Sequence, residues 1–591
     1  MRDSVRDWTP PDKPTISLEN AKLEEMSKNE RIKSESQGLF FTSDGKSSRP
    51  FAEEIDELTR GERETIGNVA KELSKFYGIY RQQEREDRGR KSGDHIFMTR
   101  IKCPAGGELS AKQWAALDDA ADQFADGTIR LTSRQSIQYH YVYGPKLAPL
   151  VRHLNRHYRP DSTLSACGDV NRNVMTSPAD GLIGPGDSRG RALALEIAEE
   201  LAPRSSAYYQ VWSTDDEGRT VAPFRTDEPV YGTQYLPRKF KVGIAHVADN
   251  SVDIRTQDVG LVPIVTDAAS GAADGSLWDL WSGGGLGQTH NNDATAPLLG
   301  LHLGRIPRDQ VVAATRAIAI LQKEKGERKD RRQARWKYTI RRIGVVEVRR
   351  LLRERFGIGL EEAPPQPLPL SRLFLGFSDA LDGSSSYGLS VESGRLRPEL
   401  RRGLRAAIER LDLRVRLTGH QDILLCGVRD RGALLEILDA HGVPRPESVS
   451  PLRSLAIACP AKPTCGLAMT EAETILPTWM DELEAAGLGD VPVEIRMTGC
   501  PNNCARPPSA EIGIFGYGKN DHVVLVGGTK RGDRIAHTLY ARIPGERMVA
   551  VLGGLLRAVK ERAPAGMEPG DWLAAQDPVQ LRAWVGVDDA A

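Results

Sequence analysis

The feature that most constrains the fold of this chain is an internal repeat. Residues 95–158 follow the order strand, helix, strand, helix, and residues 386–442 follow the same order again. A repeat of this length predicts two pseudo-symmetric halves built on one supersecondary unit. The aligned pieces are Arg130–Gln135 with Arg416–Gln421, and Ala166-Cys167 with Ala458-Cys459.

The repeat predicts an α/β (α+β) fold in which each half has a small ferredoxin-like strand–helix module followed by a larger α/β module. At 591 residues the chain is long enough for several such modules. A ligand shared by the two halves would bind at their interface. The predicted boundaries are 1–62 for an N-terminal arm, 63–158 and 159–360 for the first half, 361–371 for the proline-rich linker EEAPPQPLPLS, and 372–448 and 449–591 for the second half.

Composition argues against several classes of partner. Lysine plus arginine equals aspartate plus glutamate, 80 of each, so no overall charge indicates nucleic acid or membrane. No apolar run approaches the roughly 20 residues of a membrane span. The N-terminus, MRDSVRDWTPPDKP, lacks the apolar core of a signal peptide. Seven cysteines, an odd number, fit a reducing compartment, and we expect a cytoplasmic protein.

The N-terminal arm is polar. Within it, ISLENAKLEEMSKNERIKS predicts an exposed helix. We expect a solvated arm that wraps another part of the molecule and carries no chemistry.

Four of the seven cysteines form two tight pairs. Cys459 and Cys465 have five residues between them, and Cys500 and Cys504 have three. Four thiolates suit zinc or an iron–sulfur cluster. Structural zinc sites usually have two to four residues between paired cysteines, so the wider first pair favours a cluster. Disulfides or unrelated core thiols remain as alternatives.

Two further patterns carry charge. Residues 323–342 hold ten basic residues against three acidic, which fits a solvated helix face better than a nucleic-acid patch because aromatic residues are few. The stretch Ile129–His140 is predicted as one strand, and its alternate residues would form one polar and basic face that needs partners when buried. That face would contain Arg130, Thr132, Arg134, Ser136, Gln138 and His140.

Several motifs together resemble the sirohaem-containing sulfite and nitrite reductases. The resemblance covers about residues 65–560, and the motifs occur in the family's order. It implies a 4Fe–4S cluster held by Cys459, Cys465, Cys500 and Cys504, with Cys504 also bridging to the iron of sirohaem. The motifs are ACPAKPTCGLAMTEAE, MTGCPNNCARP, IRLTSRQSIQYH, ACGDVNRNV, YLPRKFKVG and WSGGGLGQTH.

The resemblance also implies a substrate pocket with two arginines and two lysines. Matching motif to motif, these are Arg100 in FMTRIK, Arg172 in VNRNV, and Lys239 and Lys241 in PRKFK. Arginine stays charged and suits anchoring, whereas lysine releases a proton when crowded cations lower its pKa. We therefore expect the arginines to anchor the anion and the lysines to donate protons.

Cofactor contacts implied by the resemblance are less specific. Sirohaem carries eight carboxylates, and burying them demands cations. His140 could equally be a histidine bonded within the core, and a triple glycine usually marks a turn. The predicted contacts are Arg130, Thr132, Arg134, Gln138, His140, Gly283, Gly284, Gly285, Arg328, Arg331, Arg335 and Lys337.

The remaining cysteines receive separate predictions. In some members of the family a cysteine at the position of Cys167 is linked to a tyrosine, which here is Tyr80 in FYGIYRQQ. The alternative is a free thiol beside an ordinary packed ring. Cys103 and Cys426, in the strand modules, are predicted to be ordinary buried thiols.

Sulfite is the predicted substrate, because the family's nitrite enzymes tend to have asparagine where this chain has Lys241. A zinc-stabilised nucleic-acid-binding protein is the alternative from another class. No G-x-G-x-x-G turn follows a strand, so we expect electrons from a partner protein. The motifs look most like the ferredoxin-dependent, plant-type branch, and the haemoprotein subunit of a flavoprotein-coupled enzyme is the alternative.

Overall fold

The computed structural model describes residues 26–33, 50–85, 91–184, 188–204, 228–232 and 235–587. Most of the predicted N-terminal arm lies outside these residues. Its described part includes a short helix, α1, at residues 28–33. Four sheets of four or five strands carry the described fold. In this part of the chain, no helix combines the length and apolar character needed to span a membrane.

The first half-domain is an antiparallel sheet packed with helices. Its order is β1-β2-β4-β3, with β12 from the second half at the edge. Ser110 starts α4 with a capping box, in which its hydroxyl accepts from Gln113 N and the Gln113 side chain accepts from Ser110 N. The elements are α2 Pro50–Thr59, α3 Asn68–Ser74, β1 Ile79–Arg85, β2 Lys91–Ile101, α4 Ala111–Phe124, β3 Ile129–Leu131, β4 Ile137–Val142 and α5 Gly144–His157.

Helix α2 belongs to this packed body although it falls within the predicted arm. Phe51, Ile55 and Leu58 on one side of it are at most 3 % exposed and pack into the core of the first half. Their spacing of three to four residues gives α2 one apolar face. The chain therefore joins the core before residue 62.

The second half-domain repeats this arrangement. Its sheet has the order β10-β11-β14-β13, with every pair antiparallel. Its elements are β10 Gly376–Asp379, β11 Ser385–Leu389, β12 Arg395–Leu396, α10 Pro398–Leu411, β13 Arg414–Leu417, β14 Ile423–Val428 and α11 Arg431–Ala440.

The aligned hexapeptides form the same turn in both copies. In the first, Thr132 N donates to Ser136 O, and the Thr132 hydroxyl accepts from Arg134 N and Ser136 N. In the second, Thr418 makes the same three bonds with the residues two and four positions on. The turn separates β3 from β4, so the prediction of one continuous strand over Ile129–His140 is wrong.

The two larger modules also share one topology. In each sheet, three parallel strands are followed by two antiparallel ones, and a helix begins just after the last strand. The prediction of two pseudo-symmetric halves is therefore confirmed. The first module has β5 Met175–Thr176, α6 Gly190–Glu200, β6 Val242–Ile244, β7 Val259–Pro263, β8 Leu277–Ser282, β9 Leu301–Pro307, α7 Arg308–Lys325, α8 Trp336–Ile343 and α9 Val345–Phe356. The second has α12 Pro451–Ser454, β15 Ala456–Ala458, α13 Ile475–Ala485, β16 Ile495–Thr498, β17 Ile512–Gly516, β18 Asp521–Val526, β19 His537–Pro544, α14 Met548–Arg562, α15 Pro569–Ala575 and α16 Pro578–Val585.

The halves are joined by a strand of the second half that pairs with the sheet of the first half. Hydrogen bonds from an arginine of the second half also join them. Strand β12 of the second half pairs with β3 of the first, and Leu109 bridges to Val415. Arg506 donates to Ser251 O at 3.2 Å and to Gly419 O at 2.8 Å, so it connects both larger modules with the second half-domain turn. The space between the halves is therefore lined by the two turns and by the loops that follow each half-domain.

Candidate active site

Two backbone segments of the first half lie side by side and present the predicted pocket residues. Segment 165–173 follows the first half-domain, and segment 235–241 precedes β6. Leu236 N donates to Asp169 O, Phe240 N to Val170 O, and Arg172 N to Phe240 O, at 3.0, 3.1 and 2.9 Å. This pairing fixes Arg172 next to the lysines at 239 and 241.

Arg100 reaches the same space from β2. Its Nη1 donates to Cys167 Sγ at 3.2 Å, and its guanidinium carbon lies 5.7 Å from the ring centre of Tyr80. With the Gln138 amide oxygen facing it, Arg100 Nε donates across the strands at 2.9 Å. Strand pairing thus orients Arg100 while leaving it partly exposed to the pocket.

Arg172 curls over its own loop. Its Nε and Nη2 both donate to Gly168 O at 3.2 Å. Burial opposes the charged form, but Cys167 and Tyr80 offset this and raise the pKa of Arg172. Arg172 is therefore a permanent cation.

Lys239 and Lys241 are partly buried. Within the described part of the chain, neither ammonium has a hydrogen-bond acceptor or a carboxylate partner. Burial lowers the pKa of both side chains well below the ordinary lysine value, and neighbouring cations lower it further. These include Arg172 and Arg335 for both lysines. Such a lysine gives up a proton more readily than one in water.

Arg134 and Arg335 are two further cations near Lys241. Arg134 donates to Gln257 Oε1 at 2.7 Å and to Asn173 O at 2.6 Å. Burial, with a contribution from Arg172, lowers the pKa of Arg134 to about 9. Asp258 pairs with Arg335 at 3.1 Å, so one carboxylate faces a predominantly positive space. Such a space attracts and holds a small anion.

The four paired cysteines lie on the second half, within electrostatic reach of one another. Burial raises the pKa of Cys459, and Cys504, Cys500 and Cys465 raise it further. Cys459 and Cys500 are buried, whereas Cys504 is exposed. Among the described residues, no three His, Cys, Asp or Glu side chains are close enough together to share one metal ion.

Cys504 links the cysteines to the cationic pocket. Its thiolate raises the pKa of Arg172 and partly offsets the lowered pKa of Lys239, so Cys504 lies near both. Ser133 in the first half-domain turn donates its hydroxyl to Cys504 O at 2.9 Å. The exposed thiol of Cys504 therefore lies near both the other paired cysteines and the cations.

Both half-domains also brace the loop of Cys459. Arg130 Nη2 and Gln421 Nε2 donate to the same carbonyl, Ala458 O, at 2.7 and 2.8 Å. Arg130 Nε pairs with Glu473 at 2.9 Å. Arg130 is 1 % exposed and supports this loop, and its predicted contact with a cofactor stays a prediction.

The other residues of the predicted polar strand face also differ in how deeply they are buried. Thr132 and Arg134 are partly exposed on the turn. Gln138 and His140 are buried on β4, with 4 % and 2 % exposure. His140 Nδ1 has no partner among the described residues. A contact with cofactor therefore suits Thr132 and Arg134 best, and the packing of His140 fits the alternative of a core histidine.

Lys337 donates hydrogen bonds to the backbone of the loop that contains Gly283, Gly284 and Gly285. Lys337 Nζ donates to Gly285 O at 2.9 Å, to Gly287 O at 2.8 Å and to Ala296 O, so all three of its donors are used by backbone. A Cβ at Gly284 would lie 2.1 Å from Arg255 O, and one at Gly283 would lie 2.4 Å from Ile340. The glycines therefore allow close approach of the chain to itself, and Lys337 has no donor left for a carboxylate.

Arg328 and Arg331 also have carboxylates of this chain as partners. Arg328 pairs with Glu30 at 2.6 Å, and Arg331 pairs with Asp169 at 2.8 Å. In this structure both arginines contact Glu30 of the N-terminal segment, and their predicted cofactor contacts stay predictions. Arg335 lies near both lysines of the pocket.

Tyr80 and Cys167 lie together as the motif comparison predicted. The Tyr80 hydroxyl contacts Cys167 Sγ directly. Burial would raise the pKa of Cys167, but Arg172 and Arg100 more than offset it and lower the pKa to about 7. Cys103 and Cys426 are fully buried, and burial raises the pKa of each to about 11, which confirms them as ordinary buried thiols.

Three residues of the site were not predicted from the sequence. Ser133, Asn173 and Arg506 stand inside motifs that were singled out, but no spacing rule distinguishes them from surface polar residues. Asn173 Nδ2 donates to Arg134 O and Gln135 O, at 2.9 and 3.1 Å, and so fixes the turn against the pocket loop. The signal that could have found Ser133 is its place in the repeated turn.

The residues present fit a polyanionic cofactor beside a thiolate-bound cluster. Lys239 and Lys241 have no carboxylate partner among the described residues, and Arg172 and Arg335 lie near both of them. Several partly buried cations in one place, without enough carboxylates to balance them, suit an anionic ligand. Thiolates supply the ligands that an iron–sulfur cluster requires.

Two family models match the chain. The nitrite and sulphite reductase 4Fe-4S domain matches residues 187–360, and the nitrite/sulfite reductase ferredoxin-like half domain matches residues 88–157 and 379–441. The second match covers both small modules of the repeat. The first covers the larger module of the first half, whereas the four paired cysteines lie in the larger module of the second half.

Proteins of other organisms are similar to this chain over most of its length. A sulfite reductase [ferredoxin] of Synechococcus elongatus is 37 % identical over 85 % of this chain and 83 % of its own. A sulfite reductase [NADPH] hemoprotein beta-component of Chromohalobacter salexigens is 35 % identical over 94 % and 96 %. The structure of the Mycobacterium tuberculosis NirA protein shares the fold, with a TM-score of 0.72 and 22 % identity over 91 % of this chain and 96 % of that one. The chain therefore belongs to the nitrite and sulfite reductase family, whose cofactors are sirohaem and a 4Fe–4S cluster.

Proposed function

We propose that this protein reduces sulfite to sulfide in six electrons, with electrons supplied by ferredoxin. The observation that carries the proposal is that Arg172 and Lys239 lie near Cys504, with Lys241 beside Lys239 and with Arg100 on the Cys167 side of Arg172. Sulfite is a pyramidal anion that carries up to two charges near neutral pH. A pocket with this many cations suits it better than planar, singly charged nitrite.

The arginines bind and orient the anion in this proposal. Arg172 is held to its loop by Gly168 O, and Arg100 is held by Gln138 and Cys167, so neither has to be ordered when substrate arrives. Fixed donors of this kind stabilise charge without reorganisation.

The lysines hold and deliver protons. Each S–O bond that breaks needs protons so that oxygen leaves as water. Lys239 and Lys241 have lowered pKa values and no competing acceptor in the described chain, so their protons are available to the anion. Burial keeps the pKa of both lysines low, and Arg172 and Arg335 lower it further.

The cofactors supply, when bound, an iron that binds the anion and a store of electrons next to it. Cys459, Cys465, Cys500 and Cys504 would hold the cluster, with Cys504 on the side of the pocket. Arg134, Arg335 and Thr132 would meet the sirohaem edge. The loop of Cys459 is kept in place by Arg130 and Gln421.

The donor is the least constrained part of the proposal. One relative is a sulfite reductase [ferredoxin], and another is a sulfite reductase [NADPH] hemoprotein component. Ferredoxin is proposed because the quoted motifs look most like the ferredoxin-dependent branch. A flavoprotein reductase is the alternative. We also propose a cytoplasmic location, because cluster thiolates must stay reduced until iron is inserted.

Sulfide formation with defined donors tests this function. The purified holoprotein would be supplied with sulfite and either reduced ferredoxin or NADPH with a flavoprotein reductase. We expect one sulfide per six electrons from ferredoxin, and little from the flavoprotein. Faster turnover with the flavoprotein would reassign the donor. Turnover of nitrite but not sulfite would reject the substrate.

A further inference from the structure

The backbone just before Lys239 is held from outside the pocket by side chains that the proposed chemistry does not use. Four successive carbonyls, those of residues 235–238, each accept a hydrogen bond from a distant side chain. This pins the backbone direction from which Lys239 and Lys241 project. The bonds are Arg328 Nη2 to Tyr235 O at 2.8 Å, Lys33 Nζ to Leu236 O at 3.1 Å, Arg331 Nη1 to Pro237 O at 3.5 Å and Gln322 Nε2 to Arg238 O at 2.9 Å.

Glu30 holds three of these donors together. Its Oε2 pairs with Arg328 at 2.6 Å, and its Oε1 pairs with Lys33 and, at 3.4 Å, with Arg331. Glu30 is 1 % exposed and Lys33 is 3 % exposed. Buried charges persist only when they are paired, so α1 docks as an ionic unit.

Lys33 also joins the two segments that line the pocket. Its Nζ lies 3.0 Å from Asp169 Oδ2 and 3.1 Å from Leu236 O. Asp169 is three residues before Arg172, and Leu236 is three residues before Lys239. Lys33 therefore bridges the arginine-bearing and lysine-bearing segments at their outer ends.

We propose that Glu30 and Lys33 are positioning residues for the anion pocket, which fix the spacing between Arg172 and the two lysines. Neither residue touches the pocket, and each acts through the carbonyls and Asp169. The proposal rests on the function assigned to those cations. It gives the N-terminal segment a role that its polar sequence did not predict.

The test compares Lys33→Met and Glu30→Gln with Arg31→Met, an exposed cation on the same helix. Deuterium exchange of the holoenzyme reads the contact without reference to activity. We expect amides of residues 235–241 to exchange about tenfold faster in Lys33→Met and Glu30→Gln, since a lost charge-assisted hydrogen bond has about that effect. Arg31→Met should match the wild type. Exchange in the cluster loop 456–465 should stay unchanged in all three variants.

Kinetics provide the second measurement. In Lys33→Met we expect kcat/KM for sulfite to fall about tenfold at unchanged sirohaem and iron content, with Lys33→Arg recovering much of the loss. Unchanged exchange at 235–241, or equal loosening of every segment, would overturn the proposal. Failure of both Lys33→Met and Glu30→Gln to load cofactor, while Arg31→Met loads normally, would assign these residues to folding and also overturn it. If the wild type reduces no sulfite, the proposed function fails, and the exchange data still decide the contact.

Discussion

The two lysines of the pocket differ from Arg172 because burial and neighbouring cations lower the pKa of both lysines well below the ordinary lysine value, whereas the pKa of Arg172 is raised. Replacing Lys241 by asparagine removes a charge and a proton donor but keeps a polar group. Loss of a charged donor costs about 2–4 kcal/mol of transition-state stabilisation, or on the order of a hundredfold in rate. Sulfite should lose more than nitrite, because it carries up to two negative charges and nitrite carries one, so the lost cation matters more for sulfite.

The measurement is kcat/KM for both anions with one artificial donor, in wild type and Lys241→Asn. Lys112→Asn, which changes an exposed lysine on α4, serves as the matched control. We expect the ratio of the two constants to move toward nitrite in Lys241→Asn only. A constant ratio, or a shift toward sulfite, would show that Lys241 does not discriminate between the anions.

A second prediction at this scale concerns the contact between Tyr80 and Cys167. The lowered pKa of Cys167, to about 7, supplies thiolate beside the ring. We expect a fraction of the purified holoprotein, once exposed to air, to carry a thioether between Cys167 Sγ and a carbon of the Tyr80 ring, with dioxygen as the two-electron oxidant that takes up the thiol and ring hydrogens. Mass spectrometry of the digested protein would find one cross-linked peptide pair, which Cys167→Ser should abolish. Recovery of both peptides unmodified and in full yield would reject the link.

The place of a residue in the site could be predicted where a motif specifies both the residue type and its neighbours. Arg100 and Arg172 lie beside Cys167, and Arg172 lies near Lys239 and Lys241, whereas the roles of these residues stay predictions. Arg130 and Lys337 could not be placed, because a basic residue next to a cofactor motif looks the same whether it faces the cofactor or a backbone carbonyl. In this structure Arg130 is 1 % and Lys337 0 % exposed, and both side chains donate to backbone carbonyls.

At the scale of elements, the turn between β3 and β4 shows where pattern reading failed. Residues 129–140 alternate polar and apolar side chains as a strand does, yet Thr132 accepts two backbone N–H groups and closes a turn. Gln135 has a φ of 52°, which a strand does not allow. The second copy has glycine at 419, a turn signal that the repeat could have transferred to the first copy.

Arg130 and Glu473 form an ion pair behind the Cys459 loop, here called the brace, which leads to a prediction about stability. Glu473 pairs with Arg130 and Arg395 at 2.9 and 2.6 Å. Burial opposes its charge, but these arginines lower the pKa of Glu473 from 4.5 to about 2. Because the folded pKa is depressed, the stabilisation is present above pH 4.5 and is lost as the pH falls toward 2.

Glu473→Gln should therefore lower the free energy of unfolding by about 3 kcal/mol at pH 7, since it leaves buried arginines unpaired. The difference from wild type should shrink as the pH falls below 4.5. Asp481→Asn removes an exposed carboxylate, 70 % accessible, from a pair with Arg453 and should cost less than about 1 kcal/mol. Urea unfolding of the holoprotein, followed by tryptophan fluorescence, measures both. Equal effects of the two variants would reject the brace.

At the scale of the whole molecule, the repeat was predictable because both copies keep the same hydrophobic order and turn. The contact between copies was not, since β12 crosses into the sheet of the first half and Arg506 connects three modules. Pairing over hundreds of residues leaves no local pattern. The site lies in that contact, which explains why its supporting residues escaped sequence reasoning.

The proposed partner gives a prediction for the whole assembly. Ferredoxin is acidic, and docking between charged surfaces weakens as salt screens them. Turnover with reduced ferredoxin should fall as ionic strength rises from about 0.01 to about 0.3 M, where the screening length drops severalfold. Turnover with a small neutral dye should fall much less. The same salt dependence for both donors would contradict a ferredoxin partner.

The visible absorption spectrum of wild type and Cys504→Ser tests the central claim most directly. The claim is that four cysteines hold a cluster and that Cys504 joins it to sirohaem beside the cationic pocket. We expect the wild type to show red bands of sirohaem and cluster absorption, and to produce sulfide from sulfite. Cys504→Ser should fold, as an exposed side chain allows, but lose the coupled spectrum and the activity. A wild type without red bands, or a Cys504→Ser protein with full cluster, sirohaem and activity, would contradict the account.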